Sequence, residues 1–176
     1  MTMGEHTPQA ITGKVTPLRT EDAPEKATPL GGRLVLTATF LSGAAAVAVA
    51  AHRSGRVPER IPPGDLVLLG IATHKASRII SKEKVTGFLR APFTTCAEAE
   101  TNAEVSEQPR GRGLRRAIGE LLTCPFCIGM WIAGGAVATY LFAPRAARLG
   151  SSVLAVLSVS DYLQYAWTAA DQATED

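Results

Sequence analysis

The sequence predicts an all-α membrane protein, a multi-pass transmembrane helical bundle of four spans. Three observations carry that expectation. Of the 34 charged residues (18 basic, 16 acidic), only six lie in residues 121–176, namely Arg145, Arg148, Asp161, Asp171, Glu175 and Asp176. Between Glu120 and Arg145 there is no charge for 24 residues, close to the ~20 an apolar helix needs to cross a bilayer. Aromatic residues are only 6% of the chain, yet Tyr162, Tyr165 and Trp167 crowd one short segment, as in an interfacial belt. This segregation argues against an ordinary soluble domain, a disulfide-rich secreted domain and a wholly disordered chain.

Residues 1–32 are rich in Thr, Pro, Glu and Lys without helical or strand period, and read as a disordered tail. The membrane domain is expected over 33–171. Its first span is the uncharged run 34–51, bounded by Arg33 and by His52 and Arg53; Ser42, Gly43, Ala46 and Ala50 give it small residues that let a neighbouring helix approach. A cleavable signal peptide is the competing reading, because Ala48, Ala50 and Ala51 resemble a cleavage site, but the acidic 33-residue lead-in is too long for one.

Pro58, Pro62, Pro63 and Gly64 interrupt the chain before a second span at about 61–80. Its first half is apolar, while His74, Lys75 and Arg78 fall on one side of its second half. A surface amphipathic helix is the plainer reading of that half; a span with its basic end turned to protein or water is the reading preferred. Residues 81–120 form a polar loop, with a short interfacial helix over 85–93 and a flexible stretch over 98–113. The third span follows at about 121–143, ended by Pro144, and the fourth at about 149–170, with a short acidic tail at 172–176.

Lys and Arg in the flanks set the orientation. The N-tail, the 81–120 loop and the C-tail together hold eleven, and the opposite side holds Arg53, Arg56, Arg60, Arg145 and Arg148. Both termini are therefore expected in the cytoplasm, at the cell membrane.

Cys124-Pro125-Phe126-Cys127 is the one compact chemical motif. Two thiols at this spacing can form a disulfide, exchange with another, or supply half of a tetrahedral metal site. Unpaired N–H groups at a helix start would favour a thiolate on Cys124. A zinc site needs a second pair, and Cys96 is the only other cysteine, so no metal and no cofactor are assigned. A small, well-packing residue at a tight helix start is the plainest role for each thiol. A reducing cytoplasm further weakens a stable disulfide.

Asp161 lies roughly 18 Å into the fourth span, counted at 1.5 Å per residue. Counted the same way, Lys75 is roughly 21 Å and Arg78 roughly 25 Å into the second, and Cys127 roughly 24 Å back from the end of the third. An isolated carboxylate at such depth is costly and is expected to face a partner. Lys75, Arg78 and Asp161 are therefore expected to form a polar cluster near the Cys-Pro-Phe-Cys turn. The alternative is a shorter fourth helix with Asp161 already at the interface. Arg110, Arg112, Arg115 and Arg116 form a basic group, nearly cancelled by Glu98, Glu100, Glu104, Glu107 and Glu120. Contact with lipid heads is expected of it, and nucleic acid is not.

The segments 72–80 (ATHKASRII), 88–93 (FLRAPF) and 119–127 (GELLTCPFC), with Trp131 and Ser160-Asp161, resemble domain-of-unknown-function family 1360. The resemblance covers roughly residues 62–170. It implies a small bacterial membrane protein, carries no known activity, and transfers no catalytic residue. His74-Lys75 departs from the family pattern, where a less charged pair is usual.

Three functions are weighed. The leading one is a non-enzymatic structural or accessory membrane subunit, its partners the lipid bilayer and a second membrane protein or another copy of the chain. The second is a membrane thiol oxidoreductase or redox sensor using Cys124 and Cys127. The third is a small ion or proton transport component using Asp161.

Overall fold

The computed structural model describes residues 29–95 and 104–175. It is all-α apart from one small β-ladder, with six α-helices among the described residues. Most of the expected N-terminal tail and Cys96 lie outside them.

Helix α1 (Leu30–Arg53) is built from Ala, Val and Leu. It stops at Ser54 because Gly55 takes φ +63°, a conformation that suits glycine. The amides of Gly55 and Arg56 then bond the His52 and Ala51 carbonyls, the paired bonds of a Schellman end. Helix α2 (Pro63–Ser81) starts at a proline, whose fixed φ and missing N–H cost nothing at a first position.

A polar connection follows. A 3₁₀ turn (Lys84–Thr86) leads into the single-turn α3 (Gly87–Arg90). Strands β1 (Thr94–Thr95) and β2 (Gln108–Pro109) pair antiparallel, and Glu83 bridges Glu104. Within the stretch expected to be a flexible loop, Glu104 and Gln108–Pro109 are held by backbone pairing, a long-range feature that local composition does not reveal.

Helix α4 (Gly113–Thr123) and helix α5 (Pro125–Phe142) are separated at Cys124. The span expected at about 121–143 runs through this point. Pro125 forbids that, because its ring drives the preceding residue out of the α region, and Cys124 sits at φ −106°, ψ 109°. Leu121, Leu122 and Thr123 therefore belong to α4 and not to the apolar helix. Helix α6 (Pro144–Glu175) is 32 residues long and includes residues 172–175 of the expected acidic tail.

The side-chain pairings fix how the long helices run. Arg33 at the start of α1 bonds Glu120 of α4, and Arg56, just past its end, reaches the Phe142 carbonyl that closes α5. Asp65 at the start of α2 meets Tyr140 late in α5 and Arg148 early in α6. The order is up, down, up, down for α1, α2, α5 and α6. The 82–123 connection gathers at the end where α2 finishes and α5 begins.

Helix α2 packs against α5 and α6, while α1 stands on α4 and α5. The core is small: Leu69, Tyr140 and Ala147, with Ile61 and Ala136 against them. Close backbone approach replaces bulk. A Cβ on Gly32 would sit 2.8 Å from both Ala117 Cβ and the Gly113 carbonyl oxygen. Between α1 and α5, Phe40 meets Trp131 edge-on at 5.3 Å.

Among the described residues, two helices are long and apolar enough to cross a membrane, α1 and α5. In each, only 6% of the most apolar stretch is buried within the protein. The four spans expected from sequence thus reduce to two by composition; α2, with Asp65, Lys75 and Arg78, and the more polar α6 fall short of that measure.

Candidate functional site

The side chains with chemical potential fall into four groups, and the largest lies between α2 and α6. Lys75 is 8% exposed, and its ammonium donates to Asp161 Oδ2 at 2.8 Å and to Glu83. One turn on, Arg78 bonds Glu104. The helix spacing explains the arrangement. Residues 74, 75 and 78 share a side of α2, and residues 158, 161, 162 and 165 share a side of α6. Where the two meet they leave a recess of about 380 Å³ lined by His74, Lys75, Arg78, Ser158, Asp161, Tyr162 and Tyr165. It adjoins a second cavity of about 820 Å³, to which Glu83, Lys84, Glu104 and Gln164 contribute. Ser158 is buried, and its hydroxyl has no hydrogen-bond partner among the described residues.

The second group is the Arg90–Glu107 clasp. Arg90 is fully buried and is the largest side chain so enclosed. Nη1 donates to the Ile80 carbonyl at 2.6 Å and to Thr86 Oγ1 at 2.9 Å; Nη2 donates to the Glu83 carbonyl at 3.0 Å and to Glu107 Oε1 at 2.9 Å. One guanidinium thereby ties the end of α2, the 3₁₀ turn and the β-ladder together. Burial pushes the Glu107 carboxyl up. The hydrogen bonds from Arg90 and Thr94, with the Arg90 charge, outweigh it and hold the group below the usual glutamate range.

The third group closes the opposite end of the bundle. Asp65 accepts from Tyr140 Oη at 2.6 Å and from both Nε and Nη2 of Arg148. The Arg148 guanidinium also lies over the Tyr140 ring, 5.7 Å from its centre. Three helices meet in this one knot.

The fourth is the Cys-Pro-Phe-Cys turn. Both thiols are free, Cys127 exposed and Cys124 half-buried. Cys124 caps α5: its Sγ accepts the Cys127 backbone N–H at 3.3 Å. Phe126 between them is 92% exposed. Among the described residues no group of three or more His, Cys, Asp and Glu is placed to hold a metal ion.

In the basic group expected to meet lipid, Arg110, Arg112 and Arg115 are exposed, and three of the four members also bond within the protein. Arg110 and Arg115 donate to the Ala91 and Pro92 carbonyls that follow α3, and Arg116 bonds Glu120. Residue spacing on the sequence cannot show such long-range backbone acceptors. The reading of the sequence likewise missed Arg90, Glu107, Asp65 and Tyr140 as organising residues. Arg90 stands beside the apolar Phe88 and Leu89, and that was the available signal.

A family model described as a protein of unknown function, DUF1360, matches residues 68–167. The chain belongs to this family. The matched stretch contains Lys75, Arg78, Arg90, Glu107, Cys124, Cys127 and Asp161, whereas α1 and Asp65 lie before it. Sporulation protein YjcA of Bacillus subtilis (strain 168) is 30% identical over 102 residues, which are 56% of this DUF1360 chain and 86% of the relative. No solved structure matches.

Proposed function

We propose that this protein is a non-enzymatic structural or accessory component of the cell membrane, crossing the bilayer with α1, α2, α5 and α6 and keeping both termini in the cytoplasm. One observation carries the reading. The most apolar helices, α1 and α5, turn large apolar side chains outward, with Leu34, Val35, Leu41 and Met130 about half exposed or more. In water, so large a continuous apolar surface drives association or aggregation; in hydrocarbon it is the normal exterior of a helix.

The polar groups of α2 and α6 support their inclusion. Lys75 is matched by Asp161, and Asp65 by Arg148. The α2 members, Lys75 and Asp65, are enclosed by these pairings, and an ionisable residue within a membrane needs such a partner. The pairings also sit near opposite ends of α2, close to where a bilayer's polar margins would lie. The basic 82–123 connection then faces the cytoplasm, in accord with the distribution of Lys and Arg. By likeness to the sporulation protein, its setting is sporulation or development.

Two measurements test this. Alkaline carbonate washing must leave the protein in the membrane fraction. Single reporter cysteines at residues 57 and 100 must then label from outside and inside the cell respectively; external labelling at 100 overturns the orientation. For the accessory role, the tagged protein extracted in mild detergent must bring down a membrane partner.

A second reading is favoured by the geometry at the Cys-Pro-Phe-Cys turn. Two free thiols, one capped by the other's amide and the other exposed beside a protruding Phe126, suit thiol–disulfide exchange with a docking partner.

A further inference from the structure

We propose that the recess between α2 and α6 holds the phosphoethanolamine headgroup of a membrane lipid. The inference rests on the membrane reading above and names a partner for the Lys75–Asp161 site.

Donors dominate one lobe. His74, Lys75, Arg78, Ser158, Tyr162 and Tyr165 surround about 380 Å³ in which Asp161 is the one carboxylate. A lysine ammonium has three donors; Asp161 and Glu83 take two of those on Lys75, and a third remains. Arg78 directs Nη2 to Glu104, and its planar fork carries further N–H groups. The Ser158 hydroxyl is enclosed and has no partner among the described residues, an arrangement that is costly unless something polar arrives. Such a donor set fits the oxygens of a phosphate diester.

The adjoining lobe has the opposite character. Glu83, Glu104 and Asp161 line it together with Lys75, Arg78 and Lys84, three carboxylates beside three cations, with Lys75 paired to Glu83 and Asp161 and Arg78 to Glu104. A purely anionic ligand gains little from that balance. A zwitterion whose phosphate lies among the donors and whose primary ammonium reaches the carboxylates satisfies both lobes. A primary amine can donate to these carboxylates, whereas a quaternary amine cannot.

The surface next to the recess fits the rest of a lipid. Ile71 precedes Lys75 by one turn and Leu157 precedes Asp161 by one turn, and both are exposed on the side toward the bundle centre. Polar recess and apolar strip thus follow each other in the order of headgroup and acyl chain.

The test uses the full-length protein, extracted in detergent, delipidated and examined by native mass spectrometry. Phosphatidylethanolamine, phosphatidylglycerol, phosphatidylcholine or inorganic phosphate is added. The expected result is one phosphatidylethanolamine retained per chain, at least tenfold more strongly than the other two lipids. Ser158→Ala and Arg78→Gln should each weaken retention threefold or more, while Val153→Ala on the outer face of α6 should not. Ser158→Ala removes only an unpartnered hydroxyl, so its fold is expected to survive even if Arg78→Gln does not. Equal retention of all lipids, or indifference to Ser158→Ala, overturns the proposal in favour of nonspecific lipid coating. Competition by inorganic phosphate at equal concentration overturns it in favour of a soluble phosphate ligand. Failure of the membrane reading is separate: it appears as release by carbonate, before any lipid is added.

Discussion

Arg148 grips Asp65 across 83 residues of sequence, with Nε 3.0 Å from Oδ1 and Nη2 2.6 Å from Oδ2. This parallel pair of bonds is the geometry in which arginine and carboxylate bind most specifically. Tyr140 adds a third bond and offers its ring to the guanidinium. Because the contact joins α2, α5 and α6, it sets the register of three helices at the end opposite the long connection. Asp65→Asn and Arg148→Gln are each expected to lower the thermal midpoint in detergent. A double-mutant cycle should show clear positive coupling, and Tyr140→Phe a smaller loss. Additive effects of the two single changes would show that the pair carries no mutual stabilisation.

At the other end, Arg90→Ala removes the partner of Glu107 and the bonds to the Ile80 and Glu83 carbonyls. Breaking one side of a buried ion pair costs about 3–5 kcal/mol. Arg90→Lys is expected to recover little of this, since an ammonium cannot reproduce the fork that spans Ile80, Glu83 and Glu107. Hydrogen exchange over residues 83–95 and 104–110 should accelerate in both variants. Unchanged protection would remove Arg90 from its role.

The same clasp has a pH dependence of defined sign. Folding lowers the Glu107 carboxyl from its ordinary value of 4.5. Its contribution to stability is therefore complete above that value and is lost as pH falls through the lower folded-state value. Protection of the connection should stay flat from pH 7 to 5 and then decline on acidification. Glu107→Gln should be less protected at neutral pH, with a shallower acid decline. A decline equally steep in that variant would assign the effect to another carboxylate.

Gly119 is required by space and not by backbone angle. A Cβ there would lie 2.6 Å from the Phe93 carbonyl oxygen and 3.0 Å from Pro109 Cβ. The carbonyl is main chain and cannot swing aside, so Gly119→Ala is expected to cost about 1–3 kcal/mol, as overpacking does. Gly135→Ala, where nothing lies within 4 Å, is the control and should be neutral or stabilising by up to about 1 kcal/mol. Thermal unfolding of the two variants side by side distinguishes crowding from a general intolerance of helix substitutions.

The cysteine turn separates a cap from a reactive pair. Cys124→Ala deletes the acceptor for the Cys127 amide and should cost about 1 kcal/mol, while Cys124→Ser supplies another cap and should not. If the pair exchanges thiols, Cys127→Ser should trap a mixed disulfide through Cys124 in nonreducing gels of whole cells. An absence of adduct, together with equal alkylation of Cys124 and Cys96 at neutral pH, would leave the turn with structural duty alone.

Much of this architecture is written locally. The uncharged stretches of α1 and α5, Pro63 at the start of α2 and Pro144 at the start of α6 are short-range properties, and the helices follow from them. Lys75, Arg78 and Asp161 could be singled out because ionisable side chains within apolar helices demand partners wherever they finally lie. The break at Cys124 was equally present in Pro125, whose steric effect on its predecessor outweighs the apolar pattern running through it. Tertiary structure decided the rest. It assigned Lys75 to Asp161 and Glu83 and gave Arg78 to Glu104, a choice between cations one turn apart that depends on the rotation of α6 against α2. It also buried Arg90 beside a β-ladder that no local pattern announces, and brought the Ala91 and Pro92 carbonyls within reach of Arg110 and Arg115. The physical reason is common to all of these. Period and charge fix which face of a helix is polar, but the acceptor that satisfies a long cation is chosen only when distant backbone is brought within 3 Å of it.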